Sequence, residues 1–430
     1  MAIVTDDLAA AAGACHMKRT LHTVILLIVT LLLPMAPPIA AQDRDLFDDI
    51  TSDMEDIRNL ELSDPIDIMF MTRDEYEEQF AGNFMTEAET AGMADRQLVL
   101  VAFGLLELED DLAALYAGLY AGGIAGYYDP ATDRMVVIVE SEDVDLTAIN
   151  QVTFAHETVH ALQDQRFDLL SFSDARTSGT NDESLAVTAL IEGDASLAET
   201  DYLLSDTDLA IDYLTEVYTG ERESSVWETT PPILLVPLSF PYSEGQRFVQ
   251  HLYDEGGWDL VDDAYDDPPT TTEHILHPGK YLEGEEAIPV AVSDVGSALG
   301  DGWRVIEQDS WGEYTISIIL EGADLGGEQI IDAHTGWGGD AYMAMTNDED
   351  AAVAWVSEWD SEDDATEFLN ALVAREAERL DADVEEEEGG VFTIATGDIV
   401  VQLVQDGARV TYLQGPDQAI VSAMSSAVAD

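Results

Sequence analysis

At 430 residues, 46% of them hydrophobic, the chain is long enough to fill more than one core, which excludes a disordered polymer. Asp and Glu number 89 against 16 Lys and Arg, a formal net charge of -73, yet mean hydropathy stays near zero at -0.03; disordered acidic tails lose their apolar residues, and this chain has kept them. A dense carboxylate coat keeps a protein hydrated where salt screens charge repulsion, so the composition points to a high-salt environment, and the lack of any basic patch excludes nucleic acid and anionic lipid as partners.

In chain order, Lys18 and Arg19 precede an apolar run from Leu21 to Leu33, followed by Pro34, Pro37, Pro38 and the small pair Ala40-Ala41. These are the basic, apolar and cleavage regions of a Sec-type signal over residues 1–41, and Met17 is a better start for it than Met1. The competing reading is an uncleaved membrane anchor, against which the apolar run is shorter than a full span. Either way the body is expected outside the membrane, secreted or at the cell surface, touching lipid only through this segment. Cys15, the single cysteine, precedes the basic and apolar regions of this segment, so the mature chain is expected to carry no disulfide.

Helices are predicted around Asp74 to Gly82 and, from a Thr86-x-x-Glu89 capping signal, to about Leu119. Gly126 to Asp129, a Pro-Ala-Thr-Asp turn and the β-rich run Arg134 to Glu140 predict a β-hairpin. A long helix from Thr147 to about Phe167 and a second from Asp182 to about Leu204 follow, then a helix opened by Ser243-x-x-Gln246 and closed by Gly256-Gly257. Glu283 to Gly302 reads as a domain boundary, and Ser310-x-x-Glu313 opens a short helix to Leu320. Beyond it come strands near 341–345 and 353–359, a helix from Ser361 to about Leu380, and strands 391–395, 399–405 and 409–414, the last two joined by an Asp406-Gly407 hairpin signal. The Glu385 to Glu388 run reads as a solvated loop, and Gly336 to Asp340 as a turn opening a strand.

Chemistry concentrates at His156-Glu157-Thr158-Val159-His160. Residues four apart on a helix lie one above the other, so the two imidazoles face one point, and neutral imidazoles bind zinc well. Glu157 projects beside that point, where it can act as general base on a zinc-activated water whose pKa falls from about 16 to roughly 7. With eight histidines in the chain, chance yields this pattern in only about one or two of a hundred such sequences. The bland alternative is a helix whose histidines are merely buried and hydrogen-bonded. A third ligand is needed; no third histidine follows at metzincin spacing, and Glu192, amid Leu185, Ala189, Ile191 and Ala195, is a carboxylate costly to bury unless paired or coordinated. An arginine partner is the competing account of Glu192, and Glu183 is the runner-up ligand, itself better explained as a first-turn acid. His277 and Tyr281 are the candidate donors to a developing oxyanion.

At these residues the chain resembles gluzincin-type zinc peptidases, in which the His-Glu-x-x-His helix is followed by a glutamate ligand downstream. His156 to Gln165, Glu192-Gly-Asp-Ala195 and Pro269 to Pro278 further resemble a family of secreted or surface proteins of halophilic archaea and some bacteria. The resemblance implies Zn2+ at His156, His160 and Glu192 with Glu157 as base. It departs from thermolysin-like enzymes in the longer spacing to Glu192 and in Ser196 where those have an acid, so Asp194 or Asp164 is the expected partner of a ligand histidine. The expected fold class is α+β: a mainly helical zincin-like metallopeptidase domain with a β-hairpin over 42–290, a helical connection over 291–336 and a small C-terminal α+β domain over 337–430. The expected function is hydrolysis of peptide bonds in protein or peptide substrates; the alternative is a catalytically silent surface binding or structural protein on the same scaffold.

Overall fold

A computed structural model describes residues 41–83, 87–123, 125–139, 146–172, 175, 179–219, 229–292, 295–300, 302–322, 325–387 and 389–428. The expected signal, apart from Ala41, the expected capping residue Thr86 and Glu388 lie outside the described residues. Among the described residues no helix is long and apolar enough to cross a membrane. The architecture is α+β, with a mainly helical half and a sheet half.

The helical half is built from α1 (Ala41–Arg58), a small sheet, and three long helices. The sheet runs β1 (Asp67–Thr72), β3 (Arg134–Val139), β2 (Gly126–Asp129) in spatial order, with β1 parallel and β2 antiparallel to β3. The hairpin read from sequence is therefore joined by a strand that escaped notice, because Asp67-Ile-Met-Phe-Met-Thr alternates weakly. One face of this sheet packs Phe70, Met135 and Val137 against Phe47 and Ile50 of α1 and Phe154 and Val159 of α5 (Ala148–Phe167). Each such side chain taken fully from water contributes about 1.5–3 kcal/mol, which fixes the sheet on α5. Thr147 caps α5 reciprocally with Asn150, and Phe154 through Gln163 are all buried. The helix α6 (Asn181–Ser205) lies beside it, capped by Thr180. Next come α7 (Thr207–Thr219) and α8 (Pro232–Asp266). Ser243 does not open α8 as expected: its hydroxyl bonds back to the Ser239 carbonyl inside a helix that already carries Pro237 and Pro241, and the predicted stop survives only as a kink at Gly257, φ 67°.

Short helices α9 (Thr272–Leu276), α10 (Pro278–Glu283) and α11 (Val295–Ala298) lead to the sheet half. The stretch 291–336, expected to be a helical connection, contains the strand β4 (Arg304–Asp309) as well as α12 (Gly312–Leu320) and α13 (Gly327–His334). Then follow β5 (Trp337–Thr346), β6 (Ala351–Trp359), α14 (Glu362–Leu380), β7 (Val384–Glu387), β8 (Val391–Ala395), β9 (Val400–Asp406), β10 (Arg409–Gly415) and α15 (Gln418–Val428). The seven strands pair antiparallel in the order β4-β5-β6-β10-β9-β8-β7. The acidic run 385–387 is thus an edge strand, not a loop. Its fully exposed carboxylates guard the open edge against pairing with another chain.

The predicted helix 86–119 is two helices, α3 (Glu87–Ala102) and α4 (Leu112–Gly123), broken at Gly104, φ 65°. Both contribute side chains to the core of the sheet half. Phe103 sits 1% exposed with its ring against Trp311, Tyr342, Trp355 and Tyr412, and the end of α3 is held by Arg375 Nη2 on the Phe103 carbonyl at 2.5 Å and Gln414 Nε2 on the Ala102 carbonyl at 2.7 Å. The chain therefore leaves the helical half after α2 (Arg73–Asn83), completes the core of the other half, and returns at β2. Phe103→Ala should lower stability by about 3–5 kcal/mol, read as a fall in denaturant midpoint monitored by tryptophan fluorescence; an unchanged midpoint would show that the sheet half does not need α3.

Candidate metal centre

Four positions on α5 and α6 meet at the middle of the helical half. His156 Nε2 and His160 Nε2 lie 3.1 Å apart, and Glu192 Oε2 of α6 lies 3.2 Å from the first and 3.3 Å from the second. A tetrahedral zinc with bonds of about 2.0–2.1 Å places its ligand atoms roughly 3.3 Å apart, so the triangle has the dimensions of such a site. Glu192 has no arginine partner at this point: Arg58 pairs with Asp194 two residues on. Glu183 stays in the first turn of α6, as its position predicted.

Hydrogen bonds on the far side of each ring determine what the near side presents. His160 Nδ1 faces Gln163 Oε1 at 2.8 Å, and that amide is oriented by its own Nε2, which donates to the Ile191 carbonyl at 3.0 Å. His160 must therefore carry its proton on Nδ1. His156 Nδ1 faces Glu199 Oε2 at 2.8 Å, which imposes the same tautomer. In the neutral rings both Nε2 atoms then turn lone pairs toward the Glu192 carboxylate, so positive charge, from protons or from a bound cation, is favoured between them. The field agrees. Burial pushes His156 and His160 down, but the carboxylates of Glu192 and, for His156, Glu199 outweigh it and favour positive charge at this point. Burial likewise pushes Glu192 up, and the two imidazoles overturn that and hold it well below the carboxylate range.

Glu157, 8% exposed, is held by the β2 backbone: Tyr128 N–H donates to its Oε2 at 2.8 Å. Burial raises its pKa above the usual value, offset in part by the histidines and the Tyr128 amide. Tyr242 of α8 is the unforeseen member. Its ring stacks on His156 with centroids 5.9 Å apart, and it is 43% exposed. The charge of Glu192, with burial and Glu157, raises the phenol well above its ordinary value, so it stays a proton donor.

What brings α8 this close is glycine. A Cβ on Gly193 would strike the Gly245 carbonyl, and one on Gly245 would strike the Ala189 carbonyl, so α6 and α8 cross with their backbones in contact. Asp194, on another side of α6, receives Arg58 Nε at 2.6 Å and the Tyr265 hydroxyl at 2.7 Å, while Arg58 also reaches Asp262 and lies over the Trp258 ring. Asp164 receives the Tyr128 hydroxyl and the Leu169 amide. Neither acid orients a ligand histidine, contrary to expectation; Glu199 and Gln163 do. Glu199→Ala should weaken zinc binding by about 10–100-fold in a chelator competition, and an unchanged affinity would remove Glu199 from the site.

His277 and Tyr281, the predicted oxyanion donors, are engaged elsewhere. The Tyr281 hydroxyl donates to the Asp267 carbonyl at 2.8 Å. His277 Nε2 meets Glu313 Oε1 at 2.9 Å, and His334 Nδ1 meets the same oxygen at 3.1 Å, joining α9, α12 and α13 at the seam of the two halves. Ser310-x-x-Glu313 is accordingly not a capping box: Ser310 bonds the buried Asp340 and Glu313 serves the seam. Lys280, the single lysine after Lys18, ties Glu273, Glu285 and Asp360 together nearby. The bond to Glu313 raises His277 against its burial; burial pushes Glu313 up, but His277 and His334 outweigh it and hold the carboxyl below its ordinary value. A raised histidine contributes its stability fully below its unfolded pKa of about 6.5 and loses it as pH rises through the folded value. A depressed carboxylate contributes above its unfolded value of about 4.5 and loses it as pH falls through the folded one. His277→Gln should therefore lower the denaturant midpoint most near about pH 5.5 and least near about pH 9; equal losses at both would contradict the pairing.

A family described as a domain of unknown function, DUF8575, matches residues 303–425, which is the sheet half from β4 into α15 and includes none of the residues around His156. No curated protein matches the chain significantly. A solved structure from Chloroflexus aurantiacus, described as a putative hydrolase with a novel fold, aligns at 15% identity over 65% of this chain and 98% of that chain with a TM-score of 0.36, a likeness too slight to support any inference.

Proposed function

We propose that the chain is an exported, zinc-dependent peptidase with a zincin-like helical half of the gluzincin type, working at high salt on protein or peptide substrates. The observation that carries this reading is the convergence of three candidate ligand atoms, His156 Nε2, His160 Nε2 and Glu192 Oε2, at zinc dimensions beside a buried, backbone-held Glu157. His156, His160 and Glu192 would hold the ion. Zinc bound there would supply Lewis acidity, polarising a carbonyl and making water a nucleophile near neutral pH.

The protein's own groups supply the rest. Glu157 keeps Oε2 on the Tyr128 amide and leaves Oε1 free to accept a proton, and its burial raises its basicity toward neutrality. Tyr242, protonated and exposed over His156, is placed to donate to the oxyanion as a carbonyl becomes tetrahedral, the role sequence reasoning gave to His277 and Tyr281. Glu199 and Gln163 keep both histidines in the tautomer that leaves Nε2 free.

Purified protein in molar salt should hold about one zinc per chain. Glu157→Gln should keep the metal and lose proteolysis of an unfolded protein substrate, while Tyr242→Phe should keep the metal and lower kcat about 10²–10³-fold with little change in KM. Cleavage by Glu157→Gln at the parent rate would end the peptidase reading. Zinc binding without turnover by the parent would leave the silent scaffold in its place.

A further inference from the structure

We propose that Tyr128 is the positioning residue for Glu157, locking the register of β2 on α5 so that a backbone amide, and no side chain, orients the base. This rests on the peptidase reading for its functional consequence, but the contact itself does not.

The alternation of a strand decides which way each amide points. Ile138 N–H donates to the Ala125 carbonyl at 2.9 Å, and Gly126 to Asp129 oppose Val137 to Arg134, so residues 125 and 127 bond inward to β3 while 126 and 128 face outward from the sheet edge. The outward amide of Tyr128 is the one that meets Glu157 Oε2. An edge-strand amide is ordinarily left to water or to another strand. Here it is spent on a buried carboxylate.

No substitution can delete that amide without inserting proline, but the strand can slide. The Tyr128 phenol prevents sliding: it donates to Asp164 Oδ2 at 2.9 Å, and Asp164 Oδ1 is tied in turn to the Leu169 amide at 3.0 Å just past the end of α5. Glu157 and Asp164 are seven residues apart, two turns along one face of the helix. Tyr128, 8% exposed, thus grips α5 at two points through two different parts of itself. A third contact lies one turn earlier, where a Cβ on Gly126 would press on Thr153 Cγ2 at 3.0 Å and on the Val136 carbonyl at 2.9 Å, so the strand has no room to approach further. Breaking the phenol contact releases the strand and with it the orientation of Glu157, while His156, His160 and Glu192 keep their places.

The test uses the full zinc-loaded chain in molar potassium chloride, comparing the parent with Tyr128→Phe, Asp164→Ala, their double variant and Glu157→Ala. Amide hydrogen exchange at Tyr128 should be slow in the parent and faster by about tenfold or more in every variant, with zinc content unchanged in those that keep Glu157. On an unfolded protein substrate, kcat of Tyr128→Phe should fall roughly tenfold with KM within about twofold, and the double variant should be no slower than the single ones. Asp164→Ala serves if Tyr128→Phe does not fold. Exchange at Tyr128 in Glu157→Ala equal to the parent, or parental kcat in both single variants, overturns the proposal. A parent without turnover overturns the peptidase reading instead, and the exchange measurements still decide the contact.

Discussion

Two helices can place carboxylates and a phenol around one point only if their axes come close, and here the approach is set by backbone touching backbone at Gly193 and Gly245. Side chains larger than hydrogen at that crossing would force α6 and α8 apart by the thickness of a methyl group. Glu192 stands immediately before one glycine and Tyr242 three residues before the other, so the distance between carboxylate and phenol is a property of the crossing.

Burying so many carboxylates is tolerable because each is answered. Glu192 faces two imidazoles, Asp194 an arginine and a tyrosine, Asp340 the Trp311 and Gly312 amides, the Ser310 hydroxyl and two indole N–H groups, and Glu313 two further histidines. A chain with 16 cationic side chains against 89 acids does not spread them evenly over its surface. Arg58 and Arg375 lie inside, at junctions between elements far apart in sequence, where low dielectric makes one charge count for more. Stability against salt then divides in two: the acidic coat depends on the medium, and these inner pairs do not.

Sequence reasoning placed α5 and α6 most accurately, because a capping threonine and a buried stripe mark them locally; α5 begins one residue after the expected Thr147 and ends at the expected Phe167. The same reasoning singled out His156, His160 and Glu192, which the structure brings together, and Glu157 beside them, residue types costly in an apolar helix without a purpose. It missed the groups that work from a distance. Glu199 lies seven residues after Glu192, two turns along the same face, a spacing that was legible once Glu192 had been chosen. Gln163 offered no signal, since a glutamine in a helix is ordinary. Tyr242 comes from a third helix whose approach depends on the glycine crossing, and no local pattern encodes that. The pairing of α3 with the distant sheet was equally hidden, because an amphipathic helix states that it needs a partner and not which one.

The looping of α3 and α4 into the sheet half also orders events in time. The bond from Gln414 to Ala102 closes across 312 positions, and Phe103 finds its neighbours on strands ending with Tyr412. Until those last residues are made and delivered, the apolar faces of both helices have nothing to cover them, and the loop that joins β1 to β2 through them hangs open. β2, the strand that meets Glu157, follows α4 in the chain, so the excursion that completes the core of the sheet half leads straight back to the residues around Glu157.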